Sequence, residues 1–204
     1  DVQNLAQLIV DPDGKGLDSH WQKTAFSLLV GVILHALYKA KADGTYATLP
    51  SVDAMLADPN RDIGELWMEM TTYGHVDGQN HHAIGSAARD MMDRPEEEAG
   101  SVLSTAKSYL SLYRDPVVAR SVSKSEFRIK DLMHQDDPAS LYIVTQPNDK
   151  ARLRPLVRIM VNMIVRLLAD KMDFEDGWPV AHYKHRLLML LVAFPSLGML
   201  GVLL

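Results

Sequence analysis

The chain has 204 residues, 47% hydrophobic and 23% charged, enough for one large domain or one domain with part of another, and this composition excludes a disordered chain. A net charge of −5 and a pI of about 5.9 set up no global basic field of the kind that attracts nucleic acid or an anionic membrane. Cysteine is absent, which excludes disulfides, thiol nucleophiles and cysteine-zinc sites and fits a reducing compartment.

Asp1 opens a polar segment rather than a basic and then apolar one, so the start does not read as a signal peptide. Next comes Asp11-Pro12-Asp13-Gly14-Lys15-Gly16. It lacks the Gly-x4-Gly-Lys-Ser/Thr spacing of a phosphate loop. As a calcium loop it would put Lys15 and Gln22 where the ion needs an acid and a bidentate glutamate, so a structural turn is expected.

Asp18 or Ser19 then caps a helix whose inward stripe is Trp21, Ala25, Leu28, Leu29, Val32, Ile33, Ala36 and Leu37. Phe26, Val30 and Leu34 add apolar residues to its other faces, which predicts burial nearly all round, with Trp21 as a packed anchor. Its uncharged run, Thr24 to Tyr38, is 15 residues, short of the roughly 18 to 20 that a membrane span needs. Asp43-Gly44 ends it. A short helix from Pro50 or Ser51 to Leu56 follows, then another over about 62–72 with Ile63, Leu66, Trp67 and Met70 on one side.

Gly74 to Asn80 reads as a polar loop, and 82–92 as a helix. Pro95 and three glutamates open a longer helix, the acids lying at the positive end of its dipole. Its apolar positions are Val102, Leu103, Ala106, Tyr109, Leu110 and Tyr113, and Asp115-Pro116 starts one more short helix to about Val122.

Beyond that the period changes. Ser140 to Gln146 (SLYIVTQ) is a β-rich run between Asp-Pro and Pro-Asn punctuation. A helix to about Lys171 follows, with Leu153, Leu156, Val157, Met160, Ile164, Leu167 and Leu168 inward and Arg152, Arg154, Arg158 and Arg166 elsewhere. After a linker with Gly177 and Pro179, Leu187 to Leu191 forms a second apolar run, so strand, helix and strand predict a βαβ unit of a parallel sheet. Leu187 to Leu204 is also an uncharged run of 18 behind Lys184, His185 and Arg186, long enough for an anchor, although Pro195, Gly198 and Gly201 interrupt it as turns do.

Few residues invite chemistry. His75, Asp77, His81 and His82 lie close enough in sequence to supply zinc ligands, against the simpler reading of a solvated loop. His182 and His185 read as an exposed basic edge. Gly85-Ser86 lacks the Gly-x-Ser-x-Gly pattern of a nucleophile elbow.

Four blocks in order carry a resemblance: VDPDGKGLDSHWQKTAFSLLVGVILHAL, GSVLSTAKSYLSLYRDPVVA, ASLYIVTQPND with RPLVRIMVNMI, and HRLLMLL with FPSLG. Together they resemble the coupling proteins of bacterial type IV secretion and conjugation systems, a TraG-like family. The resemblance implies a mainly α chain, a helical all-α insert followed by a partial RecA-like α/β segment. Residues 1–17 would be a lead-in from the nucleotide-binding domain, 18–125 the all-α domain, and 126–204 the nucleotide-binding domain up to its Walker B strand. In that family the insert faces the cytoplasm and is associated with cargo, a relaxase-DNA complex or an effector protein.

The resemblance also implies other secretion components as partners, DNA contact only through the complete assembly, a homo-hexameric parent at the cytoplasmic face of the inner membrane, and a phosphate loop upstream of Asp1. The family's strand ends in Asp-Glu before Phe-Pro, for magnesium and for the attacking water. Val192 and Ala193 stand at those positions, and Met199 where a polar residue is commoner. ATP and magnesium are therefore expected only in the complete parent, and no catalytic, cofactor-binding or metal residue in this chain. Cargo recruitment by a non-catalytic, self-associating piece is the leading expectation. The alternatives are a contribution to ATP hydrolysis in the assembled ring, and a small helical protein anchored by 187–204.

Overall fold

The computed structural model describes residues 1–169, 173–175, 178–180 and 183–190. The chain divides into two compact units, Asp1–Asp11 with Lys15–Lys124, and Pro12–Gly14 with Ser125–Leu204.

The first unit is all-helical. Helix α1 (Val2–Val10) was not anticipated in the lead-in, although Ala6, Ile9 and Val10 are buried at the i, i+3, i+4 spacing of an amphipathic helix. Helix α2 (His20–Ala42) is its axis. Ser19 caps it: Ser19 Oγ accepts from the Gln22 N–H at 3.1 Å, and Gln22 Oε1 accepts in return from the Ser19 N–H. Around α2 pack α1, α3 (Leu49–Ala57), α5 (His82–Met92) and α6 (Glu96–Leu110), while α4 (Ile63–Thr72) lies on α5. A 3-10 turn (Ser111–Arg114) packs on α3, and α7 (Pro116–Ser121) packs on that turn. Asp115 begins α7 by accepting from the Val117 and Val118 N–H groups.

Ala25, Leu28, Leu29, Val32, Ile33 and Ala36 of α2 are buried as the stripe predicts. Trp21 and Leu37 are not, at 43% and 44% exposure. Trp21 lies in the first turn, ahead of the packed stripe, with its ring edge-on to His20 at 5.3 Å. Phe26, Val30 and Leu34 are half-buried, so one strip of α2 stays open to solvent. Among the described residues α2 is the one helix long and apolar enough to cross a membrane, with a mean hydropathy of 1.4 and 56% of that window buried inside the chain. It comes close to α5 at Gly31, where a Cβ would stand 2.4 Å from Ala87 Cβ.

The described part of the second unit holds α8 (Asp131–His134), a 3-10 turn (Pro147–Asp149), α9 (Lys150–Leu168), and an antiparallel hairpin of β1 (Asp173–Glu175) and β2 (Trp178–Val180). The hairpin occupies what reads in sequence as a linker. The two expected strands do not form among the described residues: 140–146 and 187–190 are irregular, with Tyr142, Val144, Leu188 and Leu190 each at least 79% exposed. Apolar side chains alone do not make a strand, which exists only where a neighbour accepts and donates its backbone hydrogen bonds.

The buried face of α9 also differs from its expected stripe. Arg158, Ile159, Val161, Asn162, Ile164 and Val165 are inside, so Ile164 is shared and Arg158 is reversed. A helix apolar on more than one side does not reveal by spacing which side is covered.

Candidate functional site

Polar groups in the helical unit concentrate around two histidines. His35, in the middle of α2, is wholly buried, and His75, in the link from α4 to α5, is 7% exposed. His35 Nδ1 and His75 Nε2 are 2.8 Å apart. The His81 backbone N–H donates to His75 Nδ1 at 3.3 Å, and His35 Nε2 stands 3.4 Å from Glu69 Oε1 on α4. Lys39, one turn beyond His35, and Arg61, just before α4, both engage the Glu69 carboxylate. Tyr73 packs edge-on to His35 at 5.6 Å and lies 4.9 Å from the His75 ring, while Tyr38 lies 5.6 Å from His75 and 5.7 Å from His81.

Local sequence makes this arrangement. Asp77 and Gly78 both take positive φ, 49° and 75°, giving a two-residue turn that Val76 and Gln79 close by exchanging N–H···O bonds of 3.0 and 2.7 Å. Asn80 Nδ2 donates to the Met70 carbonyl at 2.7 Å, fixing the turn to the end of α4. A Cβ on Gly85 would come within 2.4 Å of Asn80 Oδ1, so the first turn of α5 leaves room for that anchor. His75 is thereby carried inward to His35.

Burial depresses the basicity of His35 to about 4, although the Glu69 carboxylate opposes it. His75 is lowered too, by burial and then by His81. Glu69 is held down at about 2: its burial alone would raise it, and the hydrogen bonds from Lys39 and Arg61 outweigh that. The site is therefore a pair of neutral imidazoles beside an acid already neutralised by two cations.

Of the residues named from sequence, His75 and His81 enter this site; Asp77 and His82 are exposed and do not. The solvated-loop reading is wrong for His75. Among the described residues, no group of three or more His, Asp or Glu is arranged to hold a metal. In sequence, apolar neighbours hide His35 in the core stripe; its signal is a histidine on an inward helical position.

Asp11 uses both carboxylate oxygens on the Lys15 and Gly16 N–H groups, at 2.9 and 2.8 Å, and so serves as the expected structural turn. Ser86 lies within α5, not on an elbow. His185 Nε2 donates to the Asp136 carbonyl at 3.1 Å and Lys184 pairs with Asp136, so the basic edge is tied back; His182 lies outside the described residues. Val192, Ala193 and Met199, with the run Leu191 to Leu204, also lie outside them.

Residues 1–203 match the family described as Type IV secretory system Conjugative DNA transfer. The chain is 89% identical over 202 residues to a conjugal transfer protein TraG of Escherichia coli, and 86% identical over 203 residues to another, 99% and 100% of this chain but 32% of each relative. It is 31% identical over 91 residues to the VirD4 protein of Agrobacterium fabrum, 45% of this chain and 12% of that one. The chain thus spans about a third of the length of the TraG relatives it matches. No solved structure matches it. With the family match running from end to end and TraG identity at this level, the chain belongs to the conjugative DNA transfer family of type IV secretory systems, the coupling proteins that include TraG and VirD4.

Proposed function

We propose that this chain is the cargo-receiving part of a conjugative coupling protein, and that the helical unit makes the contact. One observation supports this reading above others. Lys and Arg balance Asp and Glu in the second unit, so the whole net charge of −5 falls on the self-contained helical unit. Affinity for nucleic acid comes mainly from cations that displace phosphate counterions, and an acidic unit lacks them. Its cargo contact is then with protein, a relaxase that brings the DNA or an effector, and not with bare DNA.

Under this reading 18–125 is the all-α insert, 1–17 leads into it, and 126–204 returns to a RecA-like nucleotide-binding domain. That domain would sit in a hexamer at the cytoplasmic face of the inner membrane. Val192 and Ala193 at the Walker B positions, and the lack of a Gly-x4-Gly-Lys-Ser/Thr loop in these 204 residues, support a non-catalytic role for the chain itself.

Immobilised chain, offered the relaxase of its own conjugation system or single-stranded DNA separately, tests the reading. Retention of the relaxase with no retention of DNA at physiological salt is expected. Salt-sensitive retention of DNA with no relaxase binding overturns it.

A further inference from the structure

We infer that His35 and His75 form a proton-sensitive latch, closed while both imidazoles are neutral, that holds the 74–80 turn onto helices α2 and α4 and releases it when the pair takes up a proton.

The latch has a fixed hydrogen-bond direction. The His81 backbone N–H can only donate, so His75 Nδ1, at 3.3 Å, bears no hydrogen. A neutral His75 then carries its hydrogen on Nε2 and donates it to His35 Nδ1 at 2.8 Å. His35 in turn carries its hydrogen on Nε2, which faces Glu69 Oε1 across a longer gap of 3.4 Å. Three of the four ring nitrogens have one assigned hydrogen-bond role, and His35 Nε2 faces the carboxylate without a hydrogen bond.

One added proton destroys this order. On His35 Nδ1 it sets two N–H groups against each other across 2.8 Å. On His75 Nδ1 it opposes the His81 N–H. If His75 exchanges tautomers to rescue the first contact, it creates the second conflict. Around the pair, burial and His81 oppose a proton on His75, while the Tyr73 backbone carbonyl and Glu69 favour it and are outweighed. Glu69 from α4 attracts it but is already engaged by Lys39 of α2 and Arg61 ahead of α4. Lys39 repels it, as does His81, which sits at the start of α5, for His75. Tyr38 and Tyr73 present rings to the imidazoles.

Release would be local. The turn closes on its own Val76–Gln79 bridge, and its ties to the helices run through His75 and Asn80. The α2 core stripe, by contrast, packs against α1, α5 and α6.

Amide hydrogen exchange on the full chain between pH 7.5 and 4.5, corrected for intrinsic rates, tests the latch. If the turn opens to a histidine of ordinary basicity, the change from about 4 to 6.5 at His35 predicts about a 70-fold loss of protection between pH 7.5 and pH 4.5. The loss is expected at the Val76, Gln79 and His81 amides, with Leu28 to Ala36 still protected. A glutamine amide can donate or accept by turning over but does not titrate, so His75→Gln should keep the turn protected at both pH values. His75→Ala should leave it unprotected at both. The inference is overturned if wild-type protection of the turn does not change, if it falls in step with α2, or if His75→Gln shows the wild-type pH dependence.

Discussion

Gly31→Ala, set against Gly100→Ala, measures the α2–α5 contact. Both glycines sit inside helices, so each alanine gains about 1 kcal/mol of helix propensity. They differ in what the new methyl meets. On Gly100 it finds nothing within 4 Å; on Gly31 it stands 2.4 Å from Ala87 Cβ and 3.4 Å from Met70 Cε. Carbon atoms settle at about 3.5 to 4 Å, so α2 and α5 must separate locally by more than an ångström. Overpacking of this kind costs about 1 to 3 kcal/mol, because neither Ala87 Cβ nor a helix backbone can rotate away. The expected gap between the variants is therefore about 2 kcal/mol, with Gly100→Ala the more stable. For a chain of this size that is about 4 to 8 °C in Tm, or a measurable change in urea midpoint by far-ultraviolet circular dichroism. Equal stability of the two variants would refute the close crossing.

Acidification should weaken the fold in two windows. His35, lowered to about 4, remains neutral in the fold while the unfolded chain protonates, so stability present above pH 6.5 is lost as pH falls towards 4, by about 3 kcal/mol in total. Glu69, lowered to about 2, adds stability that is present above pH 4.5 and lost below it; urea midpoints flat from pH 7 to 4 would contradict the first window. Trp21→Ala should cost less than about 1 kcal/mol, the scale of an exposed site, whereas Trp67→Ala, at a residue 5% exposed, should cost about 3 to 5 by thermal denaturation. The purified chain should show no magnesium-dependent ATP turnover above contaminant level, since it contains no phosphate-cradling glycine loop, and saturable turnover would defeat this expectation. The full chain should associate with rising concentration while a chain ending at Lys124 does not, because Leu188, Leu190, Tyr142 and Val144 are exposed; sedimentation of both decides it.

The helical unit was legible in sequence because a helix satisfies its own backbone. Ser19 with Gln22, Asp62 at α4 and Asp115 at α7 mark starts by chemistry confined to one turn, and the 3.6-residue spacing of Leu28, Leu29, Val32 and Ala36 names the inner face. Legibility failed where the answer depends on neighbours. Trp21 continues the α2 stripe, yet it stands 43% exposed in the first turn. His35 reads as one polar residue in an apolar helix, and its role exists only because a residue 40 positions later is turned inward by Asp77-Gly78. Adjacent histidines in the link drew attention through clustering, but the pair that forms spans two elements.

The same dependence separates the two units. In the first, every long helix finds a facing helix within the chain, and most of its apolar stripe is hidden as a result, Trp21 and Leu37 excepted. In the second, SLYIVTQ and LLML have the composition of interior strands and the exposure of loops. A strand leaves its N–H and C=O groups pointing sideways, so it is completed only by a partner that supplies the matching row. Nothing in either run conflicts with strand formation: neither contains proline, and both are rich in residues that suit a pleated, buried surface. What differs is the source of the missing bonds. An all-helical unit can be complete by itself, whereas the sheet-forming character of 140–146 and 187–190 becomes structure only when another strand lies alongside.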